Sequence, residues 1–310
     1  MTAPKILIRL AIAIILAGAG YMIYRAVGEY SLDEVMASLR AIPVAHIAGA
    51  LGFAALSYLC LTCFDFLALH YAGKPLTYRR AALASFCSLS IGHNVGVAAL
   101  SSGAIRYRFY SRWGLRAGDV AKVIIFSGLT VGLGLVTLGG IGLMLYPADA
   151  EGLLGLERPA IMGIGITCLT APVLYLALCQ FVRHPLHIRK WSIQLPTSRL
   201  AVPQIVVGTA NFGCVAGCLH QLMSAFEELA YLKVAAIYVV GNATALMSHV
   251  PGGLGVLEAT VLYLVPGAGS LAALVAFRVI YFFVPLAFGL PLFLGSEYVL
   301  RRRHSGHPTE

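Results

Sequence analysis

The sequence predicts an all-α membrane protein, a polytopic helix bundle of six full spans plus two re-entrant hairpins in an inverted repeat. Three observations predict it. The 310-residue chain is 59% apolar and 11% charged, with mean hydropathy +0.84, whereas a soluble domain carries roughly 25% charged residues. Two apolar stretches are broken by glycine clusters, one at Gly92-His93-Asn94-Val95-Gly96 and one at Pro251-Gly252-Gly253-Leu254-Gly255. Five basic residues, Arg106, Arg108, Arg112, Arg116 and Lys122, fall on the wrong side of the bilayer if every apolar stretch is counted as a span.

The elements follow in order. Ile6–Tyr24 follows Lys5 and contains Arg9; its length suits a retained span better than a signal peptide. Those two cations place the N-terminus in the cytoplasm. The next loop carries Glu29, Asp33 and Glu34 against Arg25 and Arg40, so it lies outside. Val44–His70 returns to Lys74, Arg79 and Arg80. Ala81–Leu100 cannot cross without sending the five cations outside, so it is expected to dip in from the cytoplasm and turn at Gly92–Gly96, where glycine permits unusual dihedrals.

Val120–Tyr146 goes out to Asp149, Glu151 and Glu157. Pro159–Val182 comes back to Arg183, Arg189, Lys190 and Arg199. Pro203–Met223 goes out to Glu227 and Glu228, and Val234–Leu264 forms a second hairpin turning at Pro251–Gly255. Leu271–Leu294 then brings Arg301-Arg302-Arg303 to the cytoplasm. Residues 1–146 and 147–300 are therefore expected to be two inverted halves, each span, span, hairpin, span, followed by a basic cytoplasmic tail, 301–310. Such halves place a site where the hairpins meet near the midplane. Eight plain spans with one violation of the charge rule is the open alternative.

Ionisable groups inside apolar segments are costly and mark function. Asp65 lies near the end of the second span, and His93 and Asn94 sit at the first hairpin tip. Ser101, Ser102 and Gly103 precede Arg106 and Arg108; small polar residues before a helix start can supply an N-cap and free amides. Arginine adds a forked donor suited to phosphate. Arg108, Arg112 and Arg116 recur every four residues, a basic helix face, and the last two are expected to rest on anionic lipid. His249, Pro251, Gly252, Gly253 and Gly255 lead into Glu258. Arg278, inside the last span, needs an anion, for which Glu258 or a lipid phosphate could serve. Asn211 and Asn242 read as interhelical hydrogen-bonding residues.

The net charge of +9 fits cytoplasmic loops facing anionic lipid rather than nucleic-acid binding, since no basic domain stands outside the membrane. The seven cysteines form no four-ligand set and read as packing residues. Zincin, nucleophile-elbow and P-loop motifs are absent, so neither an enzyme nor a cofactor is expected.

Three motifs, taken together, resemble the lysylphosphatidylglycerol synthase transmembrane family, the membrane region of the multiple peptide resistance factor. They are Pro75-Leu76-Thr77-Tyr78-Arg79-Arg80-Ala81 with Ala84-Ser85-Phe86, the run from Ser101 to Tyr110, and Pro251 to Glu258. The resemblance covers nearly the whole chain. It implies a stand-alone inner-membrane member and a lipid flippase, with Arg79, Arg106, Arg108, Glu258 and the Pro251–Gly255 turn carried over. That larger protein continues into a soluble aminoacyltransferase domain; this chain stops at Glu310, so aminoacyltransferase activity is not expected. The expected cargo is a membrane lipid with an anionic or zwitterionic headgroup. The alternatives are a transporter of a small anion and an accessory subunit beside a separate lipid-modifying enzyme. A homo-oligomer stays open.

Overall fold

Pro43 has the extended dihedrals of a helix N-cap, and behind it runs α2, Val44–Tyr71, whose residues are almost all uncharged. The computed structural model describes residues 32–94, 98–148, 151, 155–182, 186–188, 191–248 and 255–305. The first predicted span, Ile6–Tyr24, together with His249, Pro251, Gly252 and Gly253, lies outside them, as does the side chain of Ser101. Before α2 comes α1, Leu32–Ala41, with Asp33 and Glu34 in its first turn and Arg40 in its last, a charge order that suits the helix dipole. The sequence predicts a loop over this stretch. It is a short surface helix that packs on α10.

Five stretches are long and apolar enough to cross a membrane among the described residues. They are α2, α5 (Ala117–Leu145), α6 (Arg158–Phe181), α7 (Ser198–Met223) and the continuous run Ala268–Tyr298. That run comprises α10 (Ala268–Arg278), a π turn (Val279–Phe283) and the first part of α11 (Val284–Ser305). A helix of 24 residues is about 36 Å long, enough for a hydrocarbon layer of about 30 Å.

The glycine-broken stretches behave differently. α3 (Tyr78–Gly92) and α4 (Ala98–Arg112) have 15 residues each, about 22 Å, and neither would span alone. They pack on each other. A Cβ on Gly92 would stand 2.7 Å from the Ser102 Cβ, so this contact requires glycine. α8 (Tyr231–Ser248) and α9 (Val256–Leu264) form the second pair. Gly255 opens α9 at φ +84°, a conformation that favours glycine. Both helix breaks fall where the glycine clusters predicted them. The described chain is helical apart from a β-hairpin between α6 and α7, in which Leu186–Ile188 pairs antiparallel with Trp191–Ile193.

α2 and α7 form the antiparallel centre. His46 Nδ1 meets the Gln221 carbonyl at 2.8 Å, Phe53 lies against Gly217, Ser57 donates to Asn211 Oδ1 at 2.7 Å, and Tyr71 donates to the Gln194 carbonyl at 2.7 Å. The main apolar core gathers Phe64, Phe212, Leu219, Phe277 and Ile280 around this pair. α5 crosses α7 at Gly134 and Gly208, backbone against backbone. Beside that crossing, buried Gln204 accepts from Tyr175 of α6 at 2.7 Å and donates to Thr130 of α5 at 3.0 Å. Small residues and interhelical amide bonds are what join helices where hydrophobic burial gives no drive. The outer faces expose Leu56, Ile125, Ile166, Val173, Val206 and Phe288, an apolar surface too extensive for water and matched to lipid.

The packing pattern repeats. α2 touches α3 and α5 as α7 touches α8 and α10; α3 pairs with α4 as α8 pairs with α9; and α3 rests on α11 as α8 rests on α5.

Candidate functional site

Ser102, Arg106 and Tyr110 stand four residues apart on α4 and so share one face. That face meets Asp65 of α2. Arg106 donates to both carboxylate oxygens at 2.8 Å, through Nε and Nη2. Its Nη1 donates to Ser102 Oγ at 3.2 Å, and Tyr110 donates to Asp65 Oδ2 at 2.6 Å. Asp65 is fully buried, and Arg106 is 4% exposed. A bidentate pair with these added bonds is the arrangement that offsets the large desolvation cost of buried charge. The expectation that Ser101, Ser102 and Gly103 precede a helix start is corrected: α4 begins at Ala98. The chain turns earlier, so these small residues lie inside α4. There Ser102 abuts Gly92, and a Cβ on Gly103 would reach 3.1 Å from Ile124.

His93 and Asn94 follow the end of α3 and reach the middle of the bundle. Asn94 Nδ2 donates to the Ser90 carbonyl at 2.8 Å and to the Phe282 carbonyl at 3.2 Å. Phe282 belongs to the π turn, whose i→i−5 winding is marked by the Val284 amide donating to the Val279 carbonyl. Such turns loosen carbonyls from the α ladder and recur at functional sites. The neighbouring Tyr281 carbonyl accepts from Tyr58 at 3.3 Å, and the Tyr281 hydroxyl meets Ser57 Oγ at 2.8 Å. The His93 ring sits edge-on to Tyr58 and Phe282. Its Nδ1 is buried without a hydrogen-bond partner among the described residues. Ser57, Asn211 and Tyr281 each lie close to halfway along a helix long enough to span.

The start of α9 meets Arg278, the last residue of α10, just before the π turn. Glu258 Oε2 accepts from the Gly255 amide at 2.9 Å, and Oε1 accepts from Arg278 Nε at 2.5 Å. The Arg278 guanidinium lies 4.7 Å over the Phe282 ring. Of the two anions foreseen for Arg278, the structure supplies Glu258. Both side chains of this pair remain 15% exposed.

A third cluster joins α4 to α11. Glu297 accepts from Arg108 at 2.6 Å and from Arg112 at 2.7 and 2.9 Å. Arg112 thus lies on a carboxylate rather than on the anionic lipid expected from its place on the basic helix face. Glu297 was missed, although a single acid near the end of the last apolar run was the available signal. Replacing Glu297 with glutamine is expected to speed amide hydrogen exchange at the end of α4 a few-fold; unchanged exchange would show that the bridge does not hold the two helices. Arg79 is exposed at the start of α3, about 20 Å along the helix from the hairpin tip. Its neighbour Arg80 rests over Trp113.

Spanning helices with lipid-matched outer faces, and paired charge inside, define a multi-pass membrane protein. The chain belongs to the family of the uncharacterized protein slr0712 of Synechocystis sp., to which it is 33% identical over 91% of this chain and 90% of that one. It is also 28% identical to the inner membrane protein YbhN of Escherichia coli, over 86% of this chain and 84% of that one. No protein-family model matches the chain.

Proposed function

We propose that the protein is a lipid translocase of the bacterial inner membrane. One observation carries the reading. The tip of one short-helix pair bonds to the π turn, and the start of the second helix of the other pair bonds to Arg278 immediately before that turn, so both reach one discontinuity in the last spanning run, among ionisable side chains. Irregular backbone at membrane depth is tolerated where it lines a cavity, and substrate sites of repeat-built transporters lie at such discontinuities.

On this reading α3–α4 and α8–α9 are hairpins that enter from opposite faces, and the repeated packing pattern reflects two inverted halves. Both termini are then cytoplasmic. Rocking of the halves would expose the centre to each leaflet in turn. The similarity to an inner membrane protein supports the location, and the motif resemblance to the lysylphosphatidylglycerol synthase membrane region supports a lipid as cargo.

In proteoliposomes the purified protein is expected to speed dithionite access to fluorescent lipids of the inner leaflet, and Arg278→Gln to slow it about tenfold. No acceleration over empty vesicles for zwitterionic, anionic and cationic headgroups alike would sink the reading.

A further inference from the structure

We infer that the headgroup recognised at the Glu258–Arg278 pair is a zwitterion carrying both a phosphate and an ammonium, of the phosphoethanolamine type. The inference rests on the translocase reading for its lipid and on charge balance for its chemistry. Among the described residues, Arg106 and Arg278 are the arginines at the centre, and each has its own carboxylate. A site built for a purely anionic headgroup would present a guanidinium with no internal anion, because a forked donor left open is what captures phosphate.

The two pairs are not equivalent. Asp65–Arg106 is sealed, with 0% and 5% side-chain exposure, and is held from both ends by Tyr110 and Ser102. Glu258–Arg278 is open at 15% on both sides. Glu258 there does two jobs: it pairs with Arg278 and it occupies the amide of Gly255, the residue that caps α9. A phosphate arriving at Arg278 must displace it. That frees the Gly255 amide to donate to a phosphate oxygen beside the guanidinium, at a helix start that favours anions. The displaced carboxylate would then face a second anion in a poorly solvated place, which is costly. An ammonium on the same headgroup removes that cost by taking up Glu258. The Phe282 ring, already facing one cation, offers that ammonium a further contact. A zwitterion thus replaces one ion pair by two, whereas an anion leaves Glu258 unmatched.

The test compares phosphatidylethanolamine with phosphatidylglycerol of identical acyl chains, by native mass spectrometry of the purified protein and by transport in proteoliposomes. Phosphatidylethanolamine is expected to bind at least tenfold more tightly. Glu258→Gln should reverse the preference, since the carboxylate that a phosphate must displace, and that an ammonium would take up, is gone. Equal or tighter binding of phosphatidylglycerol to the native protein overturns the inference, whether or not the variant folds. Tight, selective binding of phosphatidylethanolamine with no transport of any lipid upholds the headgroup assignment and overturns the translocase reading. Uptake of soluble glycerophosphoethanolamine without lipid movement overturns the assignment to a lipid.

Discussion

Asp65→Ala is expected to destabilise the protein by about 3–5 kcal/mol, the cost of leaving one member of a buried ion pair without its partner. The geometry puts the effect at the high end of what one substitution does. Arg106 would lose two bonds of 2.8 Å, and the Tyr110 hydroxyl, also buried, would lose its acceptor. Removing both charges, as in Asp65→Ala with Arg106→Met, should cost less than the sum of the single changes, because no unmatched charge is left behind. Thermal unfolding of the detergent-solubilised protein measures both. A single Asp65→Ala variant that melts with the native protein would show that the pair does not hold α2 to α4.

Gly134→Val should do comparable damage by another route. A Cβ at Gly134 would lie 2.4 Å from the Gly208 carbonyl carbon and 2.5 Å from its oxygen. These are backbone atoms of a spanning helix and cannot swing aside, so α5 and α7 must separate. Separation also pulls Gln204 from Thr130. Overpacking costs 1–3 kcal/mol and occasionally more; with a buried amide stripped as well, a loss of about 3 kcal/mol or more is expected. Gly132 supplies the control, since a Cβ there meets nothing within 4 Å. Gly132→Ala should express and melt like the native protein while Gly134→Val yields little folded material. Equal yields would refute the close crossing.

The spans were legible because lipid imposes one requirement, length without charge. Val44–His70 of the sequence is Val44–Tyr71 of the structure. Pro203–Met223 gained its start from Ser198, a polar first turn that hydropathy cannot see. α1 is not legible from hydropathy, because ten residues with charges at both ends carry no apolar run. The glycine clusters gave both helix breaks. Arg278 and Glu258 are each legible as an isolated charge in an apolar setting, with Glu258 one of two candidate anions for Arg278. Asp65 reads from the sequence as a partner for an arginine or a cationic headgroup, but which arginine is not legible: the pairing with Arg106 spans 41 residues, and Arg108, Arg112 and Arg116 stand nearby. Glu297 hid behind Arg301–Arg303, which read as the end of the membrane. The one sequence signal for the π turn is Pro285, which has no amide for the Tyr281 carbonyl four residues before it; Val279–Phe283 itself contains neither proline nor glycine.

That turn holds one residue more than ordinary winding needs, and the surplus can be edited out. Deleting one residue within Val279–Tyr281 would return the Phe282 carbonyl, which now receives Asn94, to the regular ladder. The flanking helices would keep their phase, so Glu297 would still face Arg108 and Arg112. The same deletion a turn or two later, within α11, would rotate Glu297 by roughly 100° and leave the turn intact. A deletion scan of this helix should therefore separate two classes, folded chains that have lost the central contacts and chains that have lost the bridge to α4. The centre of the protein would thus depend on a single inserted residue.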